Sequence, residues 1–454
     1  MVMVADLLPG LKRFLSGMGL TDAGLRMVMR MMVTFLLHSR RMSCLQAAGA
    51  VRSDVRHRAQ VGRMLKRPGF SRLNLTNIAR AELLAREAGR GRFLFIIDAT
   101  LVGQAGQKTE NTYSTGNRKR RPKKGRRYGK QKHAQKSCHS FTMGLLITPS
   151  GIRIPYSRPY RTREYCRQKG LVHRTTAEAA ADLIRELPLP EEAEVIVLGD
   201  TAYEAQVVHE ACAARGYDWI FPSNPERVLA GPKGNRPKVR SLLKDWSSFA
   251  LQTVRLAPGQ GKYAVYRRLS PHRIGPKAKP RTFHVHQERL HVRSVGEVRL
   301  VFSTAKAQLA TATPDDVKIL MTNNLKFSAR EIAELYSLRW QIELFFKELK
   351  STLGFHQYQF RDFQCVENWC ELTLTAFLYL ENLRARQLAR RGLSEDDKKW
   401  WRHQRTHGLC QAVRLASQQN ELKYLAERLE TPGGIQKLKR LLLASFPSEY
   451  RASL

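Results

Sequence analysis

Two aspartates and one short motif are the residues of this 454-residue chain whose types and spacing can do chemistry together. Asp98 closes the apolar run Phe93-Leu-Phe-Ile-Ile97, and Asp200 follows Glu194-Val-Ile-Val-Leu198-Gly199. Short continuous apolar runs are the pattern of strands covered on both faces, and ligands of open α/β sheets gather beyond the carboxyl ends of such strands. The motif is Tyr336-x2-Arg339-x3-Glu343-x6-Lys350. At about 100° per residue its four named positions fall within roughly 60° of one helix face. Leu335, Leu338, Ile342, Phe345, Phe346 and Leu349 make an adjoining apolar face. Glu331, Glu334 and Glu348 point elsewhere, so Glu343 is the acid that shares a face with Arg339 and Lys350.

Three carboxylates converging in a basic cleft repel one another unless a cation lies among them. All-oxygen ligation suits Mg2+, with Mn2+ as a substitute, and two such ions can activate a water or a 3′-hydroxyl for phosphoryl transfer. The reading assigns Asp98, Asp200 and Glu343 to the two metals, Arg339 and Lys350 to phosphates, and Tyr336 to a further phosphate hydrogen bond. Taken singly, the acids say less: Asp98 suits a turn or a cap, and Asp200 suits the cap of a helix beginning at Thr201.

The elements that must position these residues follow from pattern. After the first strand comes a hairpin, His139 to Pro155, turning at Pro149-Ser150-Gly151. Thr175-x-x-Glu178 has capping-box spacing and opens an Ala-rich helix; Thr201-x-x-Glu204 has the same spacing and predicts a helix ending at Gly216. Tyr217 to Phe221 is the next strand. This order predicts an RNase H-like α/β sheet with the strands of Asp98 and Asp200 side by side. Ser328-x-x-Glu331, flanked by Phe327 and Ile332, opens one long helix carrying the motif to a stop at Gly354.

The fold class is therefore α/β, an RNase H-like mixed-sheet core interrupted by a β-rich insertion and flanked by helical regions. The expected divisions are a helical DNA-binding domain over 1–88, core over 89–222, insertion over 223–300, core with the motif helix over 301–391, and a basic helical tail over 392–454. Within the first of these, Met42 to Leu65 reads either as a helix-turn-helix or as a plain helical pair with a solvated basic face.

Composition narrows the partner. With 43% apolar, 8% aromatic and 26% charged residues the chain is globular rather than disordered. Its 78 Lys+Arg against 39 Asp+Glu leave a formal +39, so a polyanion is the expected partner. Asn117 to Lys132 concentrates ten of these cations, among them Arg118, Lys119, Arg120, Arg121, Lys123 and Lys124, which are assigned to DNA phosphates. The segment Glu226 to Arg299 adds seventeen Lys+Arg against four Asp+Glu. Met27 to Leu37 is too short and too interrupted to span a bilayer, which leaves double-stranded DNA favoured over a membrane. Seven scattered cysteines without a CxxC pair indicate neither a disulfide framework nor a zinc ribbon, and fit a reducing cytoplasmic, nucleoid-associated location.

The spacing Tyr336-x2-Arg339-x3-Glu343-x6-Lys350, inside YSLRWQIELFFKELKS, resembles the YREK signature of DDE transposases of bacterial insertion sequences. FIIDAT around Asp98 and VLGDTAYEA around Asp200 resemble that family's two aspartate blocks, over about residues 92–360. The resemblance implies two-metal nicking of transposon ends, joining of the freed 3′-ends to target DNA, a hairpin intermediate, and a synaptic homodimer. Two other readings use the same residues: an RNase H-like nuclease without strand transfer, and a DNA-binding relative whose acids are idle.

Overall fold

The computed structural model describes residues 7–37, 58–67, 75–87, 91–104, 108–115, 136–230, 237–256, 281–306 and 316–404, with scattered positions between 406 and 436. The expected basic segment, with Arg118, Lys119, Arg120, Arg121, Lys123 and Lys124, and residues 42–57 of the helix-turn-helix region lie outside the described residues. The described strands are β1 (Phe93–Gln104), β2 (Tyr113–Thr115), β3 (Lys136–Ile147), β4 (Arg153–Pro159), β5 (Val195–Gly199), β6 (Asp218–Pro222), β7 (Gln252–Leu256), β8 (Arg281–Val292), β9 (Gly296–Thr304) and β10 (Lys318–Thr322). The described α-helices are α1 (Leu7–Ser16), α2 (Asp22–Leu37), α3 (Arg58–Lys66), α4 (Leu75–Ala85), α5 (Arg163–Lys169), α6 (Thr176–Arg185), α7 (Gln206–Ala214), α8 (Ala329–Ser337), α9 (Trp340–Ser351), α10 (Phe363–Leu388) and α11 (Glu395–His403).

Two compact units divide the chain: Met1–Arg80 with Lys347–Leu383 and Gln404–Leu454, and Ala81–Phe346 with Arg384–His403. The first is helical. Its core forms where the apolar stripe of α2 meets α10, with Phe35 edge-on to Trp369 at 5.1 Å. Polar groups there bond from helix to helix: Asn368 donates to the Leu65 carbonyl at 2.6 Å, and Glu371 accepts from the Thr76 amide and hydroxyl at 3.0 and 2.7 Å.

The second unit is built on one ten-stranded mixed sheet, in the order β2-β3-β1-β5-β6-β10-β9-β8-β7 with β4 on β3. The arrangement is the RNase H-like mixed sheet that the order of elements predicts. β1 and β5 run parallel side by side, as their apolar runs predict, with Phe93–Ile97 in register with Val195–Gly199. β3 and β4 form the expected hairpin. The capping box of Thr175 and Glu178 opens α6, which packs on β3, β4 and α7. The strands of the expected insertion hydrogen-bond into the same sheet: β7 pairs β8, β8 pairs β9, and β9 pairs β10.

Three expectations are corrected. The first strand does not end at Asp98 but runs on to Gln104, because β3 keeps pairing with it after β5 has stopped at Gly199. Asp98 therefore marks the end of the parallel ladder rather than of the strand. No α-helix starts at Thr201. Asp200 itself accepts the Thr201 amide and caps a single 3-10 turn, Thr201–Tyr203, and α7 begins only at Gln206. The motif helix is not continuous either. The Ser337 hydroxyl donates to the Glu334 carbonyl at 2.6 Å, the acceptor that the Leu338 amide would otherwise use. Leu338 and Arg339 instead donate to Leu335 and Tyr336, three residues back. Such back-bonding by serine bends helices, and here it separates α8 from α9.

Candidate active site

The site grows from the edge where the parallel strands stop. Ile97 pairs with Gly199, so the next residues, Asp98 and Asp200, leave β1 and β5 as neighbours. Gly199 is required just before Asp200: a Cβ there would stand 2.6 Å from the Phe221 ring and 3.3 Å from the Tyr203 Cβ. Asp98 accepts the Ala99 amide at 2.8 Å on one oxygen, and Asp200 accepts the Thr201 amide at 2.8 Å. Each carboxylate is thereby fixed by its own backbone while its second oxygen is left for other partners.

The motif supplies the third acid. Its capping box is formed, with Ser328 and Glu331 bonded reciprocally, and Phe327 and Ile332 are buried as a staple. Leu335, Leu338, Ile342, Phe345 and Leu349 are buried, as the apolar face predicts, whereas Phe346 is half-buried. The other glutamates are engaged elsewhere: Glu334 pairs with Arg330 and Glu348 accepts from Thr406. Glu343 faces the strand acids through Arg339. The Arg339 guanidinium donates to Asp98 Oδ2 at 3.1 Å and to Glu343 Oε1 at 2.6 Å. Arg339, expected on a phosphate, is thus taken up by two of the three acids.

Electrostatics explain that placement. Burial raises the Asp98 pKa from its ordinary value, and the charges of Asp200 and Glu343 push it further in the same direction. The Ala99 amide and Arg339 oppose them. Burial also works against the charge on Arg339, but Tyr336, Glu343 and Asp98 outweigh it and hold its pKa above the ordinary value. Tyr336 is buried, its hydroxyl lies near that guanidinium without a formed hydrogen bond, and burial pushes its pKa up to about 12. Three carboxylates against one bridging guanidinium remain electron-rich, and two of their oxygens already converge on a single cation. This hard-oxygen donor set fits a divalent metal ion, although among the described residues no three such side chains are drawn together into a closed ligand cluster.

Residues 168–379 match the family model described as Transposase DDE domain. Over that stretch the chain is similar to DDE transposases. No curated protein matches the chain with significance. The matched stretch takes in Asp200, Tyr336, Arg339, Glu343 and Lys350, while Asp98 lies upstream of it. DDE transposases work on DNA and generally with divalent metal ions. Among the described residues no helix is long and apolar enough to cross a membrane.

The structure also places the motif's lysine and two residues outside the motif. Lys350, the last residue of the motif, belongs to the first compact unit, where burial lowers its pKa beside His356. Tyr203, from the turn after Asp200, is buried; its pKa is raised first by burial and then by the charges of Asp98 and Asp200. Lys318, the first residue of β10, holds its ammonium 4.5 Å from the centroid of the Tyr336 ring. Tyr203 lies within the block VLGDTAYEA, whereas Lys318 belongs to no motif. The one sequence signal for Lys318 is a lone cation in front of the buried run Ile319-Leu320-Met321.

Proposed function

We propose that this transposase binds the inverted ends of its own insertion sequence and catalyses two-metal-dependent cleavage and strand transfer, moving the element by cut-and-paste. The observation that carries the reading is the pair Asp98 and Asp200 at the end of one parallel ladder, with Glu343 joined to Asp98 through Arg339. Asp98, Asp200 and Glu343 are the residues to hold two Mg2+ ions, or Mn2+ in their place, which would supply charge stabilisation and an activated oxygen nucleophile.

The chain's own groups do the remaining work. The Ala99 and Thr201 amides keep the two aspartates oriented, so little reorganisation is needed when the strand arrives. Arg339, once the acids no longer need it, presents a planar fork suited to bidentate contact with a phosphate. Tyr336 and Lys350 add a hydroxyl and an ammonium for the same strand. Arg118, Lys119, Arg120, Arg121, Lys123 and Lys124 supply the sequence-independent part of the affinity. Since two DNA ends must be handled together, the acting species is a homodimer in a synaptic complex, and a hairpin at the cut end is the expected intermediate.

The test is cleavage and joining by the purified protein on a duplex carrying the DNA that borders its coding sequence, with Mg2+ or Mn2+. Glu343→Gln is expected to abolish both activities and leave binding intact. Cleavage without joining in the wild type would make the protein a nuclease, and binding with neither activity would leave a DNA-binding relative.

A further inference from the structure

β10 pairs antiparallel with β6, and β6 runs parallel to β5. The start of β10 therefore arrives at the same edge of the sheet at which β5 ends in Asp200. Lys318 occupies that start, paired through its backbone with Ser303 of β9. Its stem leaves the strand toward α8, and its ammonium sits over the face of Tyr336. Asp200 favours its charge, whereas burial and Arg339 disfavour it, so that its pKa lies below the ordinary lysine value.

Arg339 and Lys318 are used differently. Arg339 spends its fork on Asp98 and Glu343. The Lys318 ammonium forms neither a hydrogen bond nor an ion pair with any described residue, and a ring face satisfies none of the three N–H donors of an ammonium. A lysine held against an aromatic ring purely for packing gains as much from its stem as from its head. Here the head is placed at the edge where the acids converge, with its donors available.

We infer that Lys318 is a DNA-phosphate-binding residue of this site, one that takes a nonbridging oxygen of the strand lying across Asp200. This rests on the reading of the site as DNA-cleaving given above. The Tyr336 ring acts as its positioning surface: it fixes the ammonium without neutralising it, which keeps the charge for the phosphate.

Lys318→Met keeps the apolar stem over Tyr336 and removes the charge, and Lys318→Arg restores it. The probe is a synthetic duplex of the DNA bordering the coding sequence, bound in EDTA with excess unrelated competitor DNA. Neutral methylphosphonates are then placed singly at each position around the cleavage site. Lys318→Met is expected to bind about tenfold more weakly, the worth of one charge-assisted hydrogen bond. One methylphosphonate should cost the wild type a similar factor and cost Lys318→Met nothing further, while Lys318→Arg recovers most of the loss with the melting temperature unchanged in both variants. Wild-type affinity in Lys318→Met, or retention of every methylphosphonate penalty, would overturn the inference and make Lys318 a packing residue. If that happens while Glu343→Gln still abolishes cleavage, only the role of Lys318 fails. If the wild type neither binds nor cuts the duplex, the DNA-cleaving reading fails and takes this one with it.

Discussion

Replacing Arg339 by Met tests whether the guanidinium is the counter-ion that lets the acids share one place. Its side chain is 16% exposed, against 22% for Asp98 and 30% for Glu343. Removing one partner of a fully buried pair costs about 3–5 kcal/mol, whereas a fully exposed pair contributes about 0–1 kcal/mol. This trio lies between those limits and nearer the buried one, so the variant should lose about 2 kcal/mol. For a unit of this size that is a fall of roughly 3 °C in melting temperature.

The companion variant separates charge from packing. In Glu343→Gln the amide oxygen still accepts from Arg339, and Asp98 loses a like-charged neighbour, so a change under about 0.5 kcal/mol is expected. The double variant removes the guanidinium together with one of the two acids it reconciles. Its loss should be about 1 kcal/mol, leaving a coupling of about 1 kcal/mol between the positions. The assay is thermal unfolding followed by tryptophan fluorescence, at neutral pH in EDTA and without DNA, so that the signal reports the carboxylates and their counter-ion alone. Losses that simply add, or an Arg339→Met protein that melts with the wild type, would refute the counter-ion argument.

Two further outcomes follow from the surroundings of Asp200. Asp200→Asn keeps a cap oxygen for the Thr201 amide and should lose cleavage with the melting temperature unchanged, whereas Asp200→Ala should lose cleavage and about 1 kcal/mol besides; equal melting of the two variants would show that the cap is idle. His209 of α7 is buried, stacked on Trp219 at 4.3 Å, and neither ring nitrogen has a hydrogen-bond partner among the described residues. Burial, aided by Arg227, pulls its pKa down from 6.5 to about 4. The unfolded chain then binds the extra proton first, so the stability this residue contributes is complete above pH 6.5 and is lost as the pH falls toward 4. At about 1.4 kcal/mol per unit the loss is on the order of 3 kcal/mol. His209→Phe should flatten the acid limb of a melting-temperature profile, and an unchanged limb would place the acid sensitivity elsewhere.

What the sequence showed of the fold was whatever depends on neighbours along the chain. The Thr175/Glu178 and Ser328/Glu331 boxes formed because each side chain meets a backbone amide three residues away. Thr201-x-x-Glu204 has the same spacing and did not form. Glu204 is drawn instead to Arg227 at 2.7 Å, and Asp200 takes the Thr201 amide. A buried ion pair with a distant residue outweighs an exposed local cap, and spacing cannot show it. The same holds for Lys318: its place at the site depends on β10 entering between β6 and β9, which no window of sequence contains. The alternation of the insertion likewise predicted strands without saying that they would continue the core sheet.

Arg339 shows where such reasoning stops. Helical spacing put it correctly on the face of Glu343, even though the helix breaks beside it, because the 3-10 step preserves the contact four residues on. Spacing fixes a direction, however, and the partner found in that direction is decided by charge. Asp98 is pushed toward neutrality by burial and by two other carboxylates, and among the described residues the cation bonded to it is Arg339, tethered to the helix that brings Glu343. A guanidinium has the fork to hold two acids at once, so it settles there in preference to solvent. The motif therefore joins its arginine to its glutamate for a reason internal to the protein: whichever helix delivers the third acid must also carry the positive charge that makes the delivery tolerable. Under the proposed function, contact with DNA phosphates would be a second use of a residue whose position the acids already require.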